Sequence, residues 1–97
     1  MIPVKQNEND KDLSFIFDTK SFDNKMATAP WGGMVKNIFN QDNQKVIEIE
    51  HDMKLSSIIS FDGEVTKNLK PGQRVEPGDS IGNLSKLNKP LYWKLFS

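Results

Sequence analysis

The sequence predicts a small all-β domain built from antiparallel strands and tight Gly/Pro turns. Three observations lead there. Short runs of apolar and β-branched residues recur every 8–12 positions along the chain. Between them stand turn formers, in Trp31-Gly32-Gly33, Asn40-Gln41-Asp42-Asn43, Asp62-Gly63, Pro71-Gly72 and Pro77-Gly78-Asp79. No window repeats its apolar residues with the period of a helix.

Taken in order, residues 1–12 end in Gln6-Asn7-Glu8-Asn9-Asp10-Lys11-Asp12 and carry no periodicity. They read as a flexible lead-in, a linker rather than a partner-binding tail. One domain follows, over 13–97. Its strand candidates are Leu13–Phe17, Lys25–Thr28, Gly33–Asn40, Lys45–His51, Ser56–Phe61, Gly63–Asn68, Arg74–Val75, Ser80–Leu84 and Pro90–Phe96. Alternation sets their faces. Ile47 and Ile49 share one side of their strand, Glu48 and Glu50 the other. Leu91, Trp93 and Leu95 form an apolar face, which turns Tyr92 and Lys94 to the opposite side.

Bulk properties exclude several functions. A chain of 97 residues holds a single modest core. Thirteen basic residues balance thirteen acidic ones, for a formal net charge of zero. Phosphate backbones call for a clear positive excess, so nucleic acid is not the expected partner. The sequence contains no cysteine, which removes disulfides, thiolate metal sites and cysteine nucleophiles together. No apolar run approaches the ~20 residues of a membrane-spanning helix. The start Met1-Ile2-Pro3 lacks the basic and apolar stretches of a signal peptide, so the chain reads as cytosolic or as a domain excised from something longer.

The most specific stretch is Lys70-Pro71-Gly72-Gln73-Arg74-Val75-Glu76-Pro77-Gly78-Asp79-Ser80-Ile81-Gly82. It sets two Pro-Gly turns six residues apart with Val75 and Ile81 pointing inward. This tight reversal is typical of barrel-sandwich hybrid folds, among them biotinyl and lipoyl carriers and LytM-type domains. Three further segments choose between those families. Ala27-Thr28-Ala29-Pro30-Trp31-Gly32-Gly33-Met34-Val35 resembles the V-x-A-P-x-x-G-x-V strand pair of the LytM (lysostaphin-like) zinc endopeptidases. Val46-Ile47-Glu48-Ile49-Glu50-His51 resembles the V-x-I-x-H strand that follows it. Pro90-Leu91-Tyr92-Trp93-Lys94-Leu95 is similar to the closing strand, P-H-L-H-F-E-I. The order is that of the family, and the resemblance covers most of 13–97.

In that family, zinc is held by H-x-x-x-D and by the second His of H-x-H. The first His of H-x-H and a mid-strand His assist the attacking water. Neutral imidazoles and a carboxylate fix zinc with one position open, and the metal acidifies its water. Here Asp18 stands where the zinc Asp falls, but Ser14 takes the place of the zinc His. Pro90 and Tyr92 replace the closing histidines, and the mid-strand His aligns with Gly63 or with Phe61. One carboxylate without an imidazole cannot hold a catalytic zinc. The resemblance therefore implies an inactive domain, with no catalytic residues, metal or cofactor.

Individual residues carry competing readings. His51 matches a common family His that is not a ligand; beside Asp52 at a strand end it reads as a solvated turn residue. Asp18 is a relic ligand or a strand-end carboxylate. Tyr92 and Lys94 line the former active-site groove or an ordinary wet sheet surface, and a Tyr suits an interface. Trp31 anchors a partner or packs over neighbouring strands. Met53-Lys54, in Glu50-His51-Asp52-Met53-Lys54-Leu55, resembles the modified-lysine hairpin of biotinyl and lipoyl carriers, with Lys54 the acceptor, although Asp62-Gly63 follows too early.

The resemblance thus implies a LytM-like pseudopeptidase whose vestigial groove, Asp18, Phe61, Gly63, Tyr92 and Lys94, docks a protein. It implies an extracytoplasmic place in a bacterial envelope and a cell-wall amidase or envelope-complex component as partner, with peptidoglycan a further candidate. A carrier domain is the alternative.

Overall fold

The computed structural model describes residues 2–5, 13–17, 26–52, 54–85 and 90–96. Ten strands and no helix occupy them: β1 (Ile2–Lys5), β2 (Leu13–Phe17), β3 (Met26–Thr28), β4 (Gly33–Gln41), β5 (Gln44–Glu50), β6 (Ser56–Phe61), β7 (Gly63–Val65), β8 (Arg74–Val75), β9 (Ser80–Leu84) and β10 (Leu91–Phe96). They form a seven-stranded sheet in the order β1-β2-β10-β6-β5-β4-β8 and a three-stranded sheet in the order β3-β9-β7. All pairings are antiparallel. The expected all-β barrel-sandwich is the fold observed.

Local chemistry explains the turns. β4 and β5 close through Asp42 and Asn43, at φ 52° and 66°, the positive pair that a two-residue hairpin demands. The two Pro-Gly turns carry Gly72 at φ 93° and Gly78 at φ 88°. The first is stitched to β4 by a backbone pair, Gly72 N–H to Val35 O, 2.7 Å, with Val35 N–H to Gln73 O, 2.8 Å, and the second to the β3–β4 connection, Gly78 N–H to Ala29 O, 3.0 Å, with Ala29 N–H to Asp79 O, 2.8 Å. That clasp holds the Pro30-Trp31-Gly32 loop against the body of the domain.

Between the sheets lies one core of Ala27, Ala29, Val35, Ile47, Ile49, Ile59, Phe61, Val75, Ile81, Leu84 and Leu91. Phe61 is its largest fully buried side chain. Room for the ring comes from Gly82 on β9, where an added Cβ would overlap Phe61 Cζ and come within 2.8 Å of Glu64 O. Gly82→Ala is therefore expected to cost about 1–3 kcal/mol by overpacking. Urea unfolding checks this, and an unchanged midpoint would show that the sheets can part freely.

One expectation is corrected at the start of the chain. Residues 1–12 read as a lead-in, yet Ile2–Lys5 forms β1, with Ile2 opposite Ile16 and Lys5 opposite Leu13. Pro3 hides this strand from a pattern search, because proline argues against a central strand. β1 is the edge of its sheet, where proline is tolerated. The rest of that lead-in, 6–12, lies outside the described residues. Gly63–Asn68 also shortens to Gly63–Val65, since Asn68 at φ 72° already turns the chain.

Candidate functional site

The outer face of the large sheet, turned away from the core, is built row by row from strand register. One row runs Ile16, Tyr92, Ser60, Val46, Phe39 across β2, β10, β6, β5 and β4. The next runs Ser14, Lys94, Ile58, Glu48, Asn37 across the same strands. The first row is an apolar stripe: Ile16, Tyr92 and Phe39 are 49%, 39% and 44% exposed. Val46 in its middle is buried, yet it belongs to the outer face and not to the core. Exposed apolar and aromatic side chains grouped on one sheet face make a candidate interaction site. Where β2, β10 and β6 meet, the face dips into a depression of about 370 Å³ whose lining includes Ile16, Ile58, Ser60, Tyr92 and Lys94.

Tyr92 and Lys94 therefore stand together on one exposed face, as the alternation of β10 requires. Asp18 lies outside the described residues. Phe61 and Gly63 do not join the groove, and this corrects the expectation for both. In β6 the outward residues are Ser56, Ile58 and Ser60, so Phe61 points into the core with none of its surface exposed. Gly63 is buried on β7 of the small sheet, and a Cβ there would overlap the Asn83 carbonyl oxygen. No side chain fits that position while β7 and β9 stay paired. The β6 residue beside Tyr92 is Ser60.

His51 is also corrected. It is buried, not solvated, and both ring nitrogens are engaged: Nδ1 is 2.8 Å from Gly32 O and Nε2 is 2.6 Å from Ser57 Oγ. Trp93 Nε1–H donates to the same Ser57 Oγ at 2.8 Å. The donor inventory orders this chain. Gly32 O can only accept, so Nδ1 carries the proton, and a neutral ring accepts at Nε2 from Ser57 Oγ–H. Trp93, Ser57, His51 and Gly32 thus form one consistent run of donors and acceptors. Trp31 packs edge-on against both His51 and Trp93, with ring centroids 5.7 and 5.9 Å apart, and Phe15 stacks on Trp93 at 4.7 Å. Trp31 packs over its neighbours as one of its two readings held, though it keeps 45% of its surface exposed. The cluster ties the β3–β4 connection to the end of β5 and to β6, β10 and β2; with both ring nitrogens engaged, its imidazole has no lone pair left for a metal.

Among the described residues no group of three or more His, Cys, Asp or Glu side chains gathers. Lys54 is exposed in the β5–β6 turn at φ 62°.

No family model matches the chain, and no curated protein does. Among solved structures it is similar to the crystal structure of CbpA from L. salivarius REN, with a TM-score of 0.70 and 18% identity over 84% of this chain and 54% of that one. The chain thus spans about half the length of CbpA. At this identity the likeness shows the fold, a small all-β domain of antiparallel strands.

Proposed function

We propose that the chain is a catalytically inactive, LytM-like module that docks a protein on the outer face of its large sheet. The observation that carries this reading is the chemistry around the depression on β2, β10 and β6. There, two positions that the resemblance assigns to zinc ligands hold Ser14 and Tyr92, and the residues around them include Ile16, Ile58, Ser60 and Lys94. Hydroxyls, aliphatic carbons and one ammonium make poor zinc ligands and a good contact surface, with an aromatic anchor at its centre. Under the same resemblance the setting is a bacterial envelope, and the partner is a cell-wall amidase, another envelope protein or peptidoglycan.

A photo-crosslinking amino acid placed at Ile16 in envelope-bearing cells tests the reading. It is expected to capture a protein that the same probe at Glu64, on the small sheet, does not. Capture from Glu64 alone would move the docking surface elsewhere. Release of soluble peptide from peptidoglycan by the zinc-supplemented protein would overturn the loss of catalysis. Tyr92→Ala and Lys94→Ala are each expected to weaken binding by roughly tenfold while shifting stability by less than about 1 kcal/mol, because both side chains sit on the exposed face. Titration against the captured protein and a thermal melt separate the two effects.

A further inference from the structure

The geometry points to a second copy of this chain on the open edge of β4, the two copies joining their large sheets strand to strand about a two-fold axis at Phe39. This inference does not use the outer face, which stays free in the pair for the protein proposed to dock there.

The argument starts from the main-chain groups that β4 leaves unused. β4 and β5 close on a two-residue turn, so Gln41 and Gln44, on either side of it, form the first hydrogen-bonded pair. Bonded and non-bonded pairs then alternate along the hairpin. Gln41, Phe39 and Asn37 turn their N–H and C=O groups to β5, whereas Ile38 and Asn40 turn theirs to the other side. On that side β8 pairs with Gly33 and Met34, and Val35 is taken by Gly72 and Gln73. Beyond Val35 the register shifts, and among the described residues no strand lies alongside 37–41 on this edge. Two donors and two acceptors therefore stand in a row, and what such a row recognises is another extended backbone.

The shape of the run names that backbone. β8 closes it at one end and the Asp42-Asn43 turn at the other, which leaves five residues centred on Phe39. A second β4, turned antiparallel about Phe39, fills it without overhang. Ile38 of each copy then lies opposite Asn40 of the other and exchanges both main-chain bonds with it, so no outward group of either copy is left over. Moving the axis to Ile38 would drive Gln41 of one copy against Val35 of the other, where Gln73 already sits. Moving it to Asn40 would set Ile38 against Asp42 in the turn.

Side chains agree with this axis. Asn37, Ile38, Phe39, Asn40 and Gln41 carry no charge, so an identical strand meets no repulsion. Phe39 faces Phe39 in a non-bonded pair, whose Cα atoms approach to about 4.5 Å. The rings, 44% exposed in the single chain, then cover each other. Just outside the run, Lys36 of one copy comes toward Asp42 of the other, at both ends. Lys36 also has Glu50 at 3.7 Å, but both side chains of that pair are more than half exposed and the contact ties neither down. The opposite edge of the same sheet is guarded: β1 carries Pro3, which offers no N–H, and Lys5. Over 37–41 the β4 edge has neither device. The result is an isologous interface made by one strand.

Sedimentation equilibrium of the full chain over a wide concentration range tests the inference, with amide exchange as its local readout. The wild type is expected to show a monomer–dimer equilibrium, and exchange at the Ile38 and Asn40 amides should slow as dimer accumulates. Asn40→Pro removes an edge N–H that β5 does not use and is expected to weaken the dimer roughly tenfold or more. Phe39→Lys sets like charges on the axis and should do the same. Far-ultraviolet circular dichroism verifies that each variant keeps its strands. The sequence has no cysteine, so Phe39→Cys offers one thiol per copy, close enough across the axis for a disulfide. With oxidised glutathione it should link two copies, whereas Glu64→Cys, on the small sheet, should not. A chain that stays monomeric, a dimer indifferent to both substitutions, or a dimer linked through Glu64→Cys and not through Phe39→Cys would overturn the inference. So would a monomer whose Ile38 and Asn40 amides slow only when a different protein is added; the edge would then serve a foreign strand, and the reading of the outer face would stand.

Discussion

Replacing Phe61 with alanine is expected to destabilise the domain by about 3–5 kcal/mol. The ring has none of its surface exposed and fills the gap between the two sheets, against the backbone of β9 at Gly82. Alanine would leave a cavity that the hydrogen-bonded strands on either side cannot collapse to fill. In a domain of this size such a loss takes most of the stability, since native domains are held by only about 5–15 kcal/mol. Phe61→His is the more informative companion. By resemblance it reinstates a water-activating imidazole, but β6 turns that side chain into the core. Histidine there would sit among Ile47, Ile59 and Ile81, without the outward-facing partners that catalysis requires. The expected outcome is a loss comparable to alanine's and no gain of zinc binding, read by chemical unfolding and by metal titration. A variant that bound zinc without losing stability would mean that β6 can flip its faces.

Ser57→Ala is expected to cost about 2–4 kcal/mol, far above the effect of an ordinary serine. Its hydroxyl is fully buried and serves two groups at once, accepting from Trp93 Nε1–H at 2.8 Å and meeting His51 Nε2 at 2.6 Å. Removing it takes a hydrogen-bond partner from the half-buried Trp93 indole and from the buried His51 ring together, and a buried polar group left unsatisfied costs about 1–3 kcal/mol. The side chains it links come from different strands, so the damage should spread. Near-ultraviolet circular dichroism should report altered packing of Trp31 and Trp93. A denaturation midpoint within error of the wild type would mean that water replaces the hydroxyl. Ser57→Thr, which keeps the oxygen, separates lost hydrogen bonding from altered volume.

Strands were legible wherever apolar pattern and turn chemistry agreed. Leu13–Phe17, Ser56–Phe61, Arg74–Val75 and Ser80–Leu84 run where the sequence places them. The faces of β10 were legible too, since Leu91, Trp93 and Leu95 alternate with Tyr92 and Lys94. β6 was not. Ile58 and Ile59 are adjacent, both apolar, and point to opposite faces, so composition could not tell which parity is buried. That ambiguity allowed Phe61 to be assigned to the groove and left Ser60 and Ile58 unnoticed. Ile16 and Phe39 were missed for another reason: they join Tyr92 only through pairing register between strands far apart in sequence. His51 was misjudged in the same way. Its partners, Gly32 and Ser57, lie on other segments, and no local signal at Glu50-His51-Asp52 foretells that the ring is enclosed.

The strand order also dictates when the sheet can be completed. β2 is bracketed by β1 and β10, and β6 by β5 and β10. The β1–β2 pair joins the rest of the sheet through β10, where Leu13 lies opposite Leu95, so the earliest segments of the domain have no place to dock on the sheet until nearly all of it has left the ribosome. Until then one side of β6 is an open edge, a waiting template for any extended chain. Such long-range closure makes for slow folding, on the scale of milliseconds to seconds. Assembly is in this sense sealed from the inside: β10 slides into a gap between strands, and the earliest-made strands then attach through it.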